Sequence, residues 1–240
     1  MKNAPEASSR KKRVPWTVEY LEAICSQLDM LVPLHVVVWA CLVVTFYTCA
    51  RLGEFTVRTL TCFDGSLHIL ITVVGLDEDR KGNSVRTFAL PSTKSSPVAG
   101  EDVSCATQSG VTDPDAAFDL HVAVNAPRPN RPLFEYKVVT LSGRVVHKAL
   151  TKTKFLEIAV GAATAARKEP LKGHGIRTGS TLEYLLRGTS IPAIKLIGRW
   201  ASDTFEAYLR KHAQILAQYL QDKLAVHQAV VRAVFPPLRH

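Results

Sequence analysis

The chain has 240 residues, 47% of them apolar, enough for one sizeable core or two small ones, which excludes a fibrous or wholly disordered protein. Lys and Arg number 30 against 21 Asp and Glu, a net charge of +9. That charge favours a polyanionic partner, nucleic acid ahead of a membrane surface, and competes with the plain reading of a solvated basic face. The five cysteines (Cys25, Cys41, Cys49, Cys62 and Cys105) are odd in number, lack a CxxC pair and fall mostly among apolar neighbours. They argue against a disulfide framework and a structural zinc, and for a reducing compartment.

The first residues, MKNAPEASSRKKRV, contain no apolar signal core, and residues 1–13 read as a disordered basic arm ahead of one main domain over 14–240. Within the arm, Arg10, Lys11, Lys12 and Arg13 fit a nuclear-import signal, a phosphate-contacting arm or a solubilising tail. Residues 17–30 predict an amphipathic helix with Thr17 as N-cap and Leu21, Ile24 and Leu28 at helical spacing. Leu34 to Tyr47 predicts a buried helix, shorter than the roughly 20 residues that cross a bilayer. Strands are expected at 67–74 and 85–90, separated by the turn-rich DEDRKGNS, with VSCAT as a third strand of a small antiparallel sheet. From DPDAAFDLHVAV onward the pattern turns helical, through 151–168, 174–187, 191–198 and from 203 into the 220s. The order predicts an α+β domain, mostly helical, with a small antiparallel β-sheet.

The chemistry concentrates in residues 172–210, KGHGIRTGSTLEYLLRGTSIPAIKLIGRWASDTFEAYLR. His174 and Arg177, three apart at a helix start, share a face and can converge on one anion. After them come a Gly188 break, a short helix, Trp200, a Ser202/Asp203 cap and Tyr208: an anion clamp, a second donor and a potential nucleophile, in order. A His and an Arg at this spacing are more often a plain surface pair, so the order of all the groups carries the reading.

HGIR, GRW and YLR resemble the second motif block of the tyrosine recombinases: H-x-x-R, a His or Trp, then the nucleophilic Tyr. Trp200 stands where many members carry His; Cre-type and Flp-type recombinases carry Trp at that place. The first block, an Arg after a buried helix with an acidic residue three positions on, resembles TFYTCARLGEFTV through Arg51 and Glu54. GEDV, GSTLEYLLRG and RKHAQILAQYLQ resemble a fungal, mobile-element-like branch, and the likeness runs from roughly residue 40 to 221. The family also implies a β-hairpin lysine between the blocks; Lys94 in PSTKSSP is the choice and Lys81 the competitor.

The resemblance implies the tyrosine recombinase catalytic-domain fold and DNA cleavage and rejoining through a covalent 3′-phosphotyrosyl intermediate. Arg51 and Arg177 hold the non-bridging phosphate oxygens with planar, permanently charged forks. The Trp200 indole donates and cannot accept, His174 is a candidate base for Tyr208, Lys94 is the general acid for the leaving 5′ oxygen, and Glu54 orients Arg51 or Lys94. The arginines supply the charge that magnesium provides elsewhere, so no cofactor or metal is expected. Expected partners are double-stranded DNA and further copies of the chain, assembled as a homotetramer through a C-terminal helix, with no membrane. Lys152, Lys154, Lys172, Arg199 and Lys211 are expected phosphate contacts, and the nucleus is the expected location. Fewer than forty residues precede the buried helix, so an N-terminal DNA-clamping domain is expected to be largely absent. Two other functions compete: an inactive DNA-binding relic of a mobile element, and type IB topoisomerase-like relaxation.

Overall fold

The computed structural model describes residues 14–200. At its centre is α2 (Pro33–Tyr47), expected as a buried helix and buried on every side from Val36 to Tyr47. A helix apolar all round must be covered all round. Here α4 (Pro114–Asn125), α6 (His174–Leu186), α5 (Lys152–Ala165), α3 (Leu52–Phe55) and two strands supply the cover. Among the described residues no helix is long and apolar enough to cross a membrane. Four of the five cysteines are buried or half-buried, and all are free thiols.

The first helix, α1 (Val18–Cys25), starts at the expected cap, where Thr17 Oγ1 accepts from the Tyr20 N–H at 3.3 Å. It stops short of the expected residue 30 because Asp29 Oδ1 takes the Leu31 N–H in a local turn at 2.8 Å and Pro33 follows. The chain before α1 crosses α6. Trp16, 1% exposed, gives its backbone N–H to Gly175 O at 3.1 Å and its indole N–H to Lys172 O at 3.2 Å. Gly175 and Gly179 make that crossing possible, since a Cβ on Gly179 would lie 1.8 Å from the Trp16 carbonyl oxygen.

The expected antiparallel sheet is present with shifted edges. Its strands are β1 (Val74–Glu78), β2 (Ser84–Leu90) and β3 (Glu101–Ala106), in the order β1-β2-β3. The strand expected at 67–74 is a correction. Ile71–Val73 forms a 3-10 turn, and the strand begins at Val74, because the register pairs Val74 with Phe88 and Glu78 with Ser84. A second correction falls in the region expected to be only helical. β4 (Glu135–Val139) and β5 (Val145–Ala149) form an antiparallel hairpin, turned at Gly143 (φ +75°), where Thr140 Oγ1 accepts the Arg144 N–H at 3.2 Å. The last described element is α7 (Ile191–Ile197).

Phenylalanines lock α3 to the sheets. Phe55 on α3 meets Phe88 on β2 and Phe134 edge-on at 5.5 and 5.6 Å, and Phe118 on α4 meets Phe88 and Phe134 at 5.5 and 6.4 Å. Each edge-to-face pair adds about 1 kcal/mol to its burial. The short helix that follows Arg51 therefore has a fixed seat.

Candidate active site

Arg51 is placed by the way α2 ends. Thr48 is its C-cap; the Cys49 N–H then reaches Phe46 O at 3.1 Å and the Ala50 N–H reaches Thr45 O at 3.2 Å, with Cys49 left-handed at φ +52°. That is a Schellman ending with cysteine where glycine is usual, at a conformational cost of about 1–2 kcal/mol. The Cys49 Sγ lies 2.9 Å from Ser180 Oγ on α6, which ties the turn before Arg51 to the helix that carries Arg177. Burial pushes the Cys49 thiol pKa up against the opposing pull of Ser180 and of the Arg177 and Arg199 charges, so it stays neutral.

At the start of α3, Glu54 closes on Arg51. Its Oε2 accepts the Arg51 backbone N–H at 2.8 Å and its Oε1 accepts the Arg51 Nη1 at 2.9 Å. The Arg51 side chain keeps 34% exposure, while that of Glu54 keeps 8%. Arg51 therefore presents an oriented guanidinium to solvent.

The cleft beside it is lined by Arg51, Lys152, Gly173, His174 and Arg177. His174 is the first residue of α6 and is exposed; Arg177, one turn on, is 2% exposed. Arg177 Nη2 donates to Gly198 O, and its Cζ sits 4.5 Å from the Trp200 ring centroid. Gly198 is required there, since a Cβ would fall 1.6 Å from the Trp200 ring. Trp200 thus packs as a cover on Arg177, half-buried. Two arginine side chains from distant segments, with a histidine and a lysine, converge on one cleft, an arrangement able to neutralise an anion.

Lys94 is exposed in the loop between β2 and β3. Its competitor Lys81 lies in the β1–β2 turn, at the other end of β2. Seven residues of strand separate the two ends, about 20 Å. The Lys94 end faces the arginines through a chain of contacts. Thr93 Oγ1 and Ser95 Oγ donate to Glu101 Oε2, the latter at 2.8 Å, and the same oxygen accepts from Arg199 Nη1 at 3.3 Å. Arg199 Nη2 donates to Glu54 Oε2 at 2.7 Å.

Arg199 departs from its expected place among the phosphate contacts. Its side chain is 7% exposed and turned onto Glu54 and Glu101, because its left-handed backbone (φ +55°) reverses the chain after α7. Lys154 pairs with Glu157 at 2.7 Å, Lys152 is exposed at the cleft, and Lys172 is exposed just before it. Tyr208 and Lys211 lie outside the described residues. Of the other tyrosines, Tyr184 donates to Tyr47 O at 2.6 Å and burial raises its pKa, and Tyr136 is 7% exposed, so both are packing groups. Glu101, Thr93, Ser95 and Cys49 carry the site without having been singled out in the sequence. Their traces there were the motifs that contain them: TFYTCARLGEFTV for Cys49, PSTKSSP for Thr93 and Ser95, and GEDV for Glu101.

Three solved recombinase structures are similar to this chain. The Flpe–Holliday junction complex matches with TM-score 0.51 and 14% identity over 77% of this chain. An FLP recombinase–Holliday junction complex matches with 0.50 and 13% over 90%, and the XerH site-specific recombinase bound to difH substrate with 0.50 and 15% over 92%. The fold is that of a tyrosine recombinase catalytic domain. The chain spans 42%, 49% and 60% of those three chains' lengths. No protein-family model and no curated protein sequence matches it. In this tyrosine recombinase fold, the convergence of Arg51 and Arg177 comes from two helix ends, α2 and α6, joined by the Cys49–Ser180 contact.

Proposed function

We propose that this chain cuts and rejoins duplex DNA through a 3′-phosphotyrosyl intermediate. The observation that carries the reading is the convergence of Arg51, Lys152, His174 and Arg177 on one cleft, a cationic seat suited to the charge of a phosphodiester. Arg51 and Arg177 neutralise the non-bridging oxygens as negative charge builds on them. Tyr208 Oη attacks the phosphorus and passes its proton to His174; the bond from phosphorus to the 5′ oxygen breaks, and Lys94 protonates that oxygen. A new phosphodiester replaces the old one, so the reverse attack by a 5′ hydroxyl rejoins the strand without an energy source.

Lys94 takes the acid role in preference to Lys81 because its end of the sheet is the one linked to Glu54 and Arg51 through Glu101 and Arg199. Exchange of strands between two duplexes makes the reaction recombination or integration. Assembly of four copies through the C-terminal segment, origin in a fungal mobile element and action in the nucleus complete the proposal.

A nicked suicide duplex tests it. The wild type is expected to accumulate a covalent adduct, and Tyr208→Phe to bind DNA equally but form none. An adduct with Tyr208→Phe would remove Tyr208 from the role. Binding without any wild-type adduct would favour a DNA-binding relic, and relaxation of a supercoiled plasmid by monomer would favour a topoisomerase.

A further inference from the structure

Arg199 occupies a left-handed position (φ +55°) between α7 and Trp200, with the Arg199 N–H on Leu196 O at 3.1 Å and the Trp200 N–H on Lys195 O at 2.9 Å. Residues other than glycine seldom adopt that conformation, and here it decides where the side chain goes. Its fork spans two carboxylates from separate parts of the chain: Nη2 to Glu54 at 2.7 Å and Nη1 to Glu101 at 3.3 Å. A lysine ammonium is a point charge on a single stem and has no second arm for that span.

Each carboxylate is committed on its other side. Glu54 holds Arg51 by its backbone and side chain. Glu101 takes the hydroxyls of Thr93 and Ser95, the residues on either side of Lys94, and the Ser96 N–H returns to Thr93 Oγ1 at 3.0 Å. Burial opposes ionisation of Glu101, but those hydroxyls and the Arg199 charge outweigh it and hold its carboxyl below the ordinary value.

We propose that Arg199 is a positioning residue, a latch that holds the Lys94 loop to the Arg51–Glu54 turn so that the phosphate clamp and the leaving-group acid assemble as one unit. The inference rests on the cutting reaction proposed above. A direct phosphate contact by Arg199 is the rival role, and its commitment to the carboxylates of Glu54 and Glu101 opposes it.

The test compares Arg199→Met and Glu101→Gln with the wild type, in the full chain. Glu101→Gln opens only the hairpin end of the latch and leaves the left-handed residue and the Glu54 pair in place. Two suicide duplexes are used, one ordinary and one with sulfur replacing the bridging 5′ oxygen. A thiol leaving group, with a pKa near the cysteine value of about 8.5, departs without a general acid. On the ordinary duplex both variants are expected to cleave about 10- to 100-fold more slowly. On the sulfur duplex Glu101→Gln recovers to within about threefold of wild type, and Arg199→Met recovers in part because Arg51 has also lost support. DNA affinity keeps its salt dependence, and amides of residues 91–100 exchange faster in both variants.

An equal loss by Glu101→Gln on both duplexes would overturn the latch. So would a salt slope shallower by about one in Arg199→Met, the mark of a lost phosphate contact. If the wild type forms no adduct on either duplex, the cutting reaction fails, and exchange alone decides the latch: faster exchange at 91–100 upholds it and unchanged exchange overturns it.

Discussion

Glu54 accepts both the backbone N–H and the guanidinium of Arg51, at 2.8 and 2.9 Å, while its side chain stays 8% exposed. An exposed intrahelical pair contributes a few tenths of a kcal/mol. This one differs because the same carboxylate also faces Arg199, itself 7% exposed, at 2.7 Å. Glu54→Gln keeps the shape and removes the charge between two arginines, and breaking a buried pair from one side costs about 3–5 kcal/mol. Chemical denaturation is expected to show a loss near the lower end of that range. In a double-mutant cycle with Arg199→Met the two changes couple by at least about 1 kcal/mol. Additive losses would show that the two side chains act independently.

Trp200 covers Arg177, with 4.5 Å between guanidinium carbon and ring centroid, and lies flat against Gly198. A partly buried stack of this kind contributes about 1–2 kcal/mol. Trp200→Phe keeps a ring over the guanidinium and is expected to keep DNA cleavage within about tenfold, whereas Trp200→Ala should lose about 30-fold. Rates of adduct formation at saturating DNA distinguish the two. Equal, complete loss in both variants would mean that indole N–H donation to the phosphate outweighs the stack.

The crossing of Trp16 over α6 gives opposite signs for two glycine-to-alanine changes. In Gly179→Ala the new methyl would meet the Trp16 backbone at 1.8 Å, so the chain must move, at a cost of about 1–3 kcal/mol. Gly161, inside α5, has nothing within 4 Å of an added Cβ, and Gly161→Ala is expected to stabilise by about 0.5–1 kcal/mol. Melting temperatures check both signs, and Trp16 emission should shift to the red only in Gly179→Ala.

Acid should destabilise the fold through a histidine remote from the cleft. His121 is fully buried, with one ring nitrogen on Leu133 O at 3.0 Å and the other on the Asn125 amide at 3.1 Å. Burial lowers its pKa from 6.5 to about 4. Between those values the unfolded chain binds a proton that the folded chain refuses, so stability is full above 6.5 and declines as pH falls, by up to about 3 kcal/mol. Glu135 adds to the loss at lower pH: burial opposes its charge, but Arg128 outweighs burial and lowers its pKa. Unfolding free energies at pH 7, 5.5 and 4 should fall in that order, and His121→Gln should flatten the change between the first two.

The motif order from Arg51 to Trp200 was readable in the chain, as was α2, because a run of apolar residues from Val36 to Val44 can only be covered on all sides. The hairpin of β4 and β5 was not. EYKVV and VVHKA are short, half-apolar runs whose periodicity suits helix and strand alike, and pairing with each other decides the outcome. The same holds for β1, whose position follows from its register with β2 and not from the more apolar run before it.

By itself, then, the sequence determined the kinds of groups and their order: two arginines, a histidine, a lysine in a hairpin, a tryptophan. Their spacing along the chain already implied helix faces and turns, because local periodicity is a property of neighbours. Only the tertiary structure decided where each cation points. Arg51 and Arg177 line one cleft, with Cys49 touching Ser180 between the segments that carry them, and Arg199 turns inward because a left-handed residue aims it between Glu54 and Glu101. The direction of a charged side chain depends on partners distant in sequence, and those partners are brought together by packing.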